Sequence, residues 1–181
     1  MVKTIASIDD IRILNATVLQ NLKESYEKTK SIINSNNPIQ AFSMMRFEKT
    51  ALDPINSSPL NFIEMLNQSF SDLVVLYGVK YLINKYPNHI YTVRLGAQSG
   101  NDIESSDGTI IGECCAITQI KSNDKLKKDA KKLMQFDKSI KKYIFFYSAN
   151  DTDKGIYNFT KKYPDINCIR ITDFKLIFDG E

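Results

Sequence analysis

The chain has 181 residues, which is enough for one compact domain with its own core and too short for two full domains. With 43% hydrophobic and 25% charged residues the composition is that of an ordinary globular protein, and no apolar run reaches the roughly 20 residues of a membrane helix. The net charge of +3 is small, and acids arrive before any apolar stretch at the start, so we expect no signal peptide and a cytoplasmic protein.

The first third of the chain is predicted to be helical. Between Ser7 and about Ser35 apolar residues recur every three or four positions, and Ser7 or Asp9 can cap the helix. The predicted inward stripe consists of Ile11, Leu14, Val18, Leu22, Tyr26, Thr29 and Ile33. We expect this helix to pack on its own domain, with docking to a second copy or another subunit as the alternative. A turn-prone connection follows, in which Ile39 to Thr50 could form a short helix.

A second long helix is predicted from Pro59 to Tyr86, with the proline near its first turn and apolar residues at helical spacing. Pro87 ends this helix. Three strands should follow, the first at Ile90 to Leu95, the second after Asp102 and the third at Thr109 to Ile120.

The rest of the chain alternates helices with strands. A helix is predicted at Asn123 to Phe136, and Tyr143 to Tyr147 is an apolar run typical of a strand buried on both faces. A short helix at 154–162 and one or two strands within Ile166 to Phe178 complete the order. This order predicts an α/β fold with a mixed central sheet and helices on both faces. We expect an N-terminal helical segment, 1–58, attached to an α/β core, 59–181.

The segment from Gly100 to Cys115 carries the strongest functional signal. Asp107 and Gly108 supply the backbone conformation of a tight hairpin turn, and the hairpin would place Asp102 at a strand start opposite Glu113. Paired carboxylates are hard oxygen ligands of the kind that Mg²⁺ prefers. If Asp102 is misplaced, Glu104 on the same strand face is the next candidate.

This arrangement resembles the catalytic hairpin of the PD-(D/E)xK nuclease superfamily, which includes many type II restriction endonucleases. In that pattern an aspartate ends one strand, an acid-x-Lys triplet follows a hairpin later, and a helix and another strand come next. The predicted elements of about residues 59–175 follow the same αβββαβ order. The chain departs from the pattern at the lysine, because Glu113, Cys114 and Cys115 place a thiol in the third position.

The resemblance implies a Mg²⁺ site, which Mn²⁺ could also occupy. Asp102 and Glu113 would be its carboxylate ligands, and the main-chain carbonyl of Cys114 would be the third ligand. In several families of the superfamily an acid of the preceding helix joins the metal site. Glu64 is the candidate here, and a solvated helix charge is the other interpretation.

The resemblance also requires a cation beside the metal. Cys115 shares a strand face with Glu113 and would point into the site, but a neutral thiol cannot supply positive charge. Lys125 and Lys128 in the following helix, and Arg94 on the neighbouring strand, are the candidates to replace the missing lysine.

Positive charge is concentrated after the predicted hairpin. Nine lysines and three aspartates lie between Lys121 and Lys142, which gives a local excess of six positive charges. Such a surface is typical of a protein that binds a polyanion, although a solvated lysine-rich helix has the same composition. The predicted DNA contacts are Lys121, Lys127, Lys131 and Arg94.

Cysteine and histidine usage excludes several other sites. Cys114 and Cys115 are adjacent, so on a strand they point to opposite faces and are poorly placed to bridge. With Cys168 they lack zinc-site spacing, and we expect buried apolar roles for them. The only histidine, His89, is predicted in a loop. The sequence has no nucleophile elbow, Gly-rich phosphate loop or H-E-x-x-H motif.

The sequence therefore predicts a Mg²⁺-dependent endonuclease that acts on double-stranded DNA, either a type II restriction endonuclease or its small cleavage subunit. Sequence specificity would come from a homodimer or from a larger DNA-recognition subunit. The alternative is a catalytically inactive DNA-binding or assembly module on the same fold. An unrelated α/β interaction protein is a third possibility, and it predicts that Asp102 and Glu113 lie far apart.

Overall fold

A computed structural model describes residues 1–96, 98–150 and 153–172 of the chain. The helices in this part are α1 (Ile8–Ser35), α2 (Pro38–Phe47), α3 (Phe62–Lys85), α4 (Lys125–Leu133) and α5 (Asp153–Lys162). The strands are β1 (Val2–Ile5), β2 (Ala51–Leu52), β3 (Pro59–Leu60), β4 (Tyr91–Arg94), β5 (Ile103–Ser105), β6 (Ile110–Ile117), β7 (Lys141–Ser148) and β8 (Ile166–Ile171). The strand residues predicted beyond 172 lie outside the described residues.

Six of these strands form one mixed sheet in the order β1-β4-β5-β6-β7-β8. The strands from β1 to β6 pair antiparallel with their neighbours, whereas β6, β7 and β8 run parallel. The two short strands β2 and β3 form a separate hairpin. The predicted α/β class with a mixed sheet is confirmed. No helix in the described part of the chain has the length and apolar character needed to cross a bilayer.

Helices cover both faces of the sheet, as predicted. On one face, α1 and α3 pack over a large apolar core that includes Leu76, Tyr91 and Phe145. On the other face, α4 and α5 cover a smaller core built around Leu126 and Phe146. Strand β7, which lies between β6 and β8, is therefore buried on both sides, which explains its continuous apolar sequence.

The long helix α1 begins as predicted but buries a different stripe. Ser7 caps it, accepting a hydrogen bond from the backbone N–H of Asp10. Its buried residues are Ile11, Leu14, Val18, Asn21, Ser25 and Thr29, whereas Tyr26 and Ile33 are 62% and 51% exposed. The prediction was wrong for Tyr26 and Ile33, whereas Thr29 is buried as predicted. The reason is the small hairpin, since the Asn21 amide donates to the Pro54 carbonyl (3.0 Å) and the backbone N–H of Leu52 donates to Ser25 Oγ (3.0 Å).

The start of α3 also differs from the prediction. Pro59 lies in β3 and not in the first helical turn, and Asn61 caps the helix by accepting from the backbone N–H of Glu64 at 2.9 Å. The edge strand β1 was not predicted at all. It pairs with β4, so residues before 59 contribute directly to the central sheet.

Gly78 allows α3 to lie directly on the sheet. A Cβ atom at this position would lie 2.7 Å from Phe145 Cδ2 and 2.8 Å from Ile103 Cδ1. Gly78→Ala should therefore lower the free energy of unfolding by about 2 kcal/mol through overpacking, which outweighs the gain of up to about 1 kcal/mol in helix propensity. Urea unfolding measures the change.

Gly112→Ala is the matched control for this substitution, because its Cβ would meet Ile103 and Phe145 at ordinary contact distances of 3.5 and 3.7 Å. We expect a near-neutral effect there. Equal stability of the Gly78 and Gly112 variants would contradict close helix-to-sheet packing at Gly78.

Candidate active site

The hairpin of β5 and β6 brings Asp102 and Glu113 together. Ile103 pairs with Gly112, and continuing this register by one residue sets Asp102 opposite Glu113. Residues directly opposite on antiparallel strands point to the same face. The carboxylate of Asp102 also accepts a 2.7 Å hydrogen bond from the backbone N–H of Cys114.

The turn of this hairpin is organised by Asp107. Its Oδ1 accepts from Ser105 Oγ at 2.7 Å and from both the backbone N–H and the hydroxyl of Thr109, at 3.1 and 2.8 Å. These hydrogen bonds lower the pKa of Asp107 to about 2. Gly108 takes the positive φ of +70° that the sequence predicted for the turn. Asp107 therefore shapes the hairpin and does not join the acid pair.

Glu113 is strongly shielded from water, and Asp102 is partly buried beside it. The Glu113 side chain is only 4% exposed, and burial followed by repulsion from Asp102 raises its pKa to about 7. Burial also raises the pKa of Asp102. Two acids held together out of water favour a cation between them.

Lys132 of α4 supplies a positive charge at this point. Its ammonium donates to Glu113 Oε1 at 2.6 Å and to the main-chain carbonyl of Gly100 at 2.6 Å. No sequence argument had singled out Lys132 for this position. The signal was nevertheless present, because Lys125, Asp129 and Lys132 are spaced i, i+4 and i+7 and share one stripe of the helix.

The packing of α4 explains why that stripe faces the sheet. Leu126, Ala130 and Leu133 are fully buried in the smaller core and fix the rotation of the helix. Asp129 lies on the border of this buried surface and is only 5% exposed. The same rotation carries the Lys132 ammonium to Glu113.

Lys125, one of the predicted replacements for the family lysine, binds a different acid. Its ammonium donates to Asp129 Oδ1 at 2.7 Å, while Asp129 Oδ2 has no hydrogen-bond partner among the described residues. Burial raises the pKa of Asp129, and its charge acts on both Asp102 and Glu113. The site therefore combines three acids with two lysines.

Two opposed carboxylates suit Mg²⁺, which is commonly held by one or two carboxylates together with water and substrate phosphate. In the described ranges, no set of three or more His, Cys, Asp or Glu side chains is arranged to hold a metal ion. Asp102 and Glu113 thus fit a magnesium site that is completed by water and substrate. They do not form a closed, all-protein metal cage.

The adjacent cysteines point to opposite faces of β6, as predicted. Cys114 lies in the larger core, and its backbone N–H donates to the Asp102 carboxylate. Cys115 lies in the smaller core beneath α4, where burial raises the pKa of its thiol to about 12. The Cys115 thiol is therefore neutral at physiological pH and supports the packing under the acid pair.

Arg94 binds the loop before Asp102 and not the acid pair. Its guanidinium donates to the carbonyl of Asn101 at 2.7 Å and to Glu104 Oε2 at 3.2 Å. Gly100 has φ +110°, and a Cβ there would lie 2.7 Å from Arg94 Nε. Glu104 is therefore paired with Arg94. The close approach of Arg94 to Gly100 also holds the loop in which the Gly100 carbonyl accepts a hydrogen bond from Lys132.

The predicted acid of the helix before the sheet does not join the site, and the buried acid of that helix is a different residue. Glu64 is exposed in the first turn of α3. Asp72, eight residues later, is 1% exposed and accepts from the backbone N–H of Gly96 at 2.8 Å. Burial raises the pKa of Asp72 to about 7, with smaller contributions from the charges of Asp53 and Asp102. Its position inside an apolar stretch of the helix gave no functional signal in the sequence.

The raised pKa values of Asp72 and Glu113 give a stability prediction. Each acid binds its proton more tightly in the folded state, so the free energy of unfolding should fall as pH rises from about 4 to about 7. We expect a loss of about 2 kcal/mol or more over this range in metal-free buffer. Asp72→Asn should remove the contribution of Asp72 and so reduce the slope in urea unfolding at a series of pH values.

Asp165→Asn, an exposed acid-to-amide change, is the control and should leave the slope unchanged. Asp107 does not interfere, because its pKa of about 2 confines its contribution to more acidic conditions. Stability that rises between pH 4 and 7 would contradict the burial of two proton-binding carboxyls.

The predicted DNA-contacting lysines are on the surface. Lys121, Lys127 and Lys131 are exposed, although Lys127 lies 3.9 Å from Asp124. Lys128 lines an open cleft of about 460 Å³ at the C-terminal end of β6, together with Thr118, Ser122, Asn123 and Lys125. Lys142 differs from the others, since it is buried and donates to the carbonyl of Phe136.

No protein-family model, curated protein or solved structure matches this chain. The site itself therefore carries the functional argument: it holds an acid pair and a bound lysine, and Lys125, whose charge acts on Asp102, also lines the open cleft.

Proposed function

We propose that the protein is a Mg²⁺-dependent endonuclease of the PD-(D/E)xK type that hydrolyses DNA phosphodiester bonds. One observation carries the proposal: Asp102 and Glu113 lie opposite each other, and the ammonium of Lys132 is 2.6 Å from Glu113. The order of α3, three antiparallel strands, α4 and the parallel strand β7 supports it.

Each residue has a defined task in this chemistry. Asp102 and Glu113 hold the metal ion, which when bound stabilises the negative charge that develops on the phosphate. Lys132 provides the positive charge that the family lysine provides and is positioned to orient the attacking water. Lys125 keeps the charge of Asp129 balanced at the edge of the site.

The surface beside the acids supports a nucleic-acid substrate. The cleft lined by Lys125 and Lys128 lies at the C-terminal end of β6 and could hold a phosphodiester chain. Lys125 links this cleft to the acid pair, since its charge also acts on Asp102. Lys121, Lys127 and Lys131 would contact further phosphates and gain affinity by counterion release. We take double-stranded DNA as the substrate and a type II restriction endonuclease, or its small cleavage subunit, as the class.

Apolar residues on the N-terminal helices supply a surface for a protein partner. Tyr26 on α1 is 62% exposed, and Ile39 and Phe42 on α2 are 83% and 65% exposed. Isolated apolar residues are common on surfaces, but this many large ones on two neighbouring helices favour an interface. A second copy or a larger DNA-recognition subunit would provide the sequence specificity.

A catalytically inactive DNA-binding or assembly module is the second candidate. The observation in its favour is that Glu113 already has a cation partner in Lys132, which stabilises the acid without any metal. Such a module would bind DNA through its lysines and show no metal-dependent cleavage.

The test is an assay on supercoiled plasmid DNA with Mg²⁺, with Mn²⁺ and with a chelator. We expect nicked or linear products only with a divalent ion, and their loss in Asp102→Asn. The asparagine oxygen can still accept from the Cys114 backbone N–H, so the hairpin should persist. Asp165→Asn, purified identically, should cut like the wild type. DNA binding without cutting by the wild type would favour the inactive module, and equal cutting by Asp102→Asn would indicate a contaminating nuclease.

A further inference from the structure

We infer that Lys132 is a tethered counterion that occupies the cation position beside Glu113 and yields it when a divalent ion binds. This inference rests on the proposed function, because it assigns a role to Lys132 in loading the same metal site. It adds a competition between a side chain and a metal ion that the nuclease assignment alone does not contain.

The contacts of the Lys132 ammonium are those of a bound cation. Its two acceptors are a carboxylate oxygen of Glu113 and the main-chain carbonyl of Gly100, each at 2.6 Å. Both distances are short for charge-assisted hydrogen bonds, and both acceptors are the hard oxygens that also bind Mg²⁺. The ammonium therefore uses a ligand that the metal needs.

The position of the lysine stem allows the ammonium to leave. The Glu113 side chain is 4% exposed and fixed in the sheet, whereas the Lys132 side chain is 39% exposed. A long, partly solvated side chain can withdraw by rotating about its own bonds without unfolding α4. The buried Glu113 side chain cannot withdraw from the site in this way.

Charge balance favours replacement of the Lys132 ammonium by the metal ion over binding of both cations beside Glu113. Lys125 is hydrogen-bonded to Asp129 and its charge also acts on Asp102, whereas Lys132 is the cation hydrogen-bonded to Glu113. Two carboxylates and one divalent ion are neutral together, so a lysine that stayed on Glu113 would add an excess positive charge in a shielded site. Repulsion between the ammonium and the metal ion would then drive Lys132 off Glu113.

The exchange of cations gives Lys132 two roles, one before and one after the metal ion binds. Without metal, Lys132 neutralises the acids and holds the Gly100 loop against β6. With metal, the released ammonium lies beside the site, where a phosphate or an attacking water can accept its hydrogen bond. The same side chain thus stabilises the empty site and becomes available for chemistry when the ion arrives.

The test measures Mn²⁺ binding to the full chain by titration calorimetry, without DNA and at about pH 8 to keep carboxyls ionised. Lys132→Met removes the competitor, and we expect it to bind Mn²⁺ about tenfold more tightly than the wild type, an ordinary coupling between two ligands of one site. Lys132→Gln keeps a donor for both oxygens and should gain similarly, which covers the case in which the methionine variant folds poorly. Lys138→Met, the same change at an exposed position, should leave Mn²⁺ affinity at the wild-type value.

Thermal unfolding gives a second readout. The rise in Tm on adding saturating Mn²⁺ should be larger in Lys132→Met and Lys132→Gln than in the wild type, since the wild-type site exchanges one cation for another. If the wild type binds Mn²⁺ and cuts DNA but neither variant gains affinity, the exchange is overturned and the nuclease assignment stands. If the wild type neither binds Mn²⁺ nor cuts DNA, both are overturned.

Discussion

Glu113→Gln is expected to abolish metal-dependent DNA cleavage and, at the same time, to stabilise the metal-free protein. The amide removes one of the two opposed carboxylates, so the rate should fall by at least about a hundred- to a thousand-fold, as for other losses of a central electrostatic group. Plasmid nicking under single-turnover conditions measures this loss.

The gain in stability follows from the pKa of Glu113, which is raised to about 7 by burial and by repulsion from Asp102. A raised carboxyl pKa means that stability is greatest below the unfolded-state value near 4.5 and is lost as pH rises through about 7. At about pH 8 the neutral glutamine should raise the free energy of unfolding by about 1–3 kcal/mol, after allowing for the weaker contact with Lys132.

Glu27→Gln provides the matched control for both measurements, since Glu27 is an exposed acid on α1. It should retain full activity and unchanged stability. Retained cleavage in Glu113→Gln would remove Glu113 from the metal site. A destabilised Glu113→Gln protein would show that the ion pair with Lys132 outweighs the desolvation of the acid.

Lys132→Met is expected to cause the largest loss of cleavage rate among single lysine substitutions in α4, about a hundredfold or more. Its ammonium is the one that contacts Glu113, whereas Lys128 lines the open cleft and Lys127 and Lys131 are exposed. The rate should be measured at saturating DNA, so that weaker substrate binding does not enter.

Substitutions of the neighbouring lysines should affect different properties of the protein. Lys125→Met leaves Asp129 buried without its partner and should lower the free energy of unfolding. Because Lys125 is half-exposed, the loss should be smaller than the roughly 3 kcal/mol expected for a fully buried pair. Lys131→Met should weaken DNA binding and reduce the salt dependence by about one phosphate contact, with little change in the saturated rate. A Lys132→Met rate equal to that of Lys131→Met would contradict a catalytic position for Lys132.

Local patterns in the sequence were sufficient for most of the sheet and for the acid pair. The turn at Asp107 and Gly108 fixes the hairpin register, and alternation along a strand then determines that Glu113 and Cys115 share a face. The uniform apolar run of β7 likewise marks a strand covered on both sides. These features depend on residues close together in the chain.

The features that were missed depend on packing between distant segments. Lys132 reaches Glu113 only because Leu126 and Leu133 set the rotation of α4 on the sheet. The buried polar stripe of α1 is explained by hydrogen bonds of Asn21 and Ser25 to residues 52–57, which no helical periodicity can reveal. The edge strand β1 is four residues long and finds its partner about ninety positions away, at β4.

The separation of the site residues along the chain sets the order in which the site can assemble. Asp102 and Cys114, which flank the hairpin turn, are 12 residues apart, and hairpins close in about 1–10 μs. Lys132 is 19 residues beyond Glu113 and reaches it only when α4 docks on the sheet, a contact of larger sequence separation than the hairpin. During folding the two carboxylates therefore meet before their ammonium. Repulsion between the two carboxylates destabilises the isolated hairpin. Lys132 removes this repulsion when α4 docks, so hairpin formation and helix docking stabilise each other.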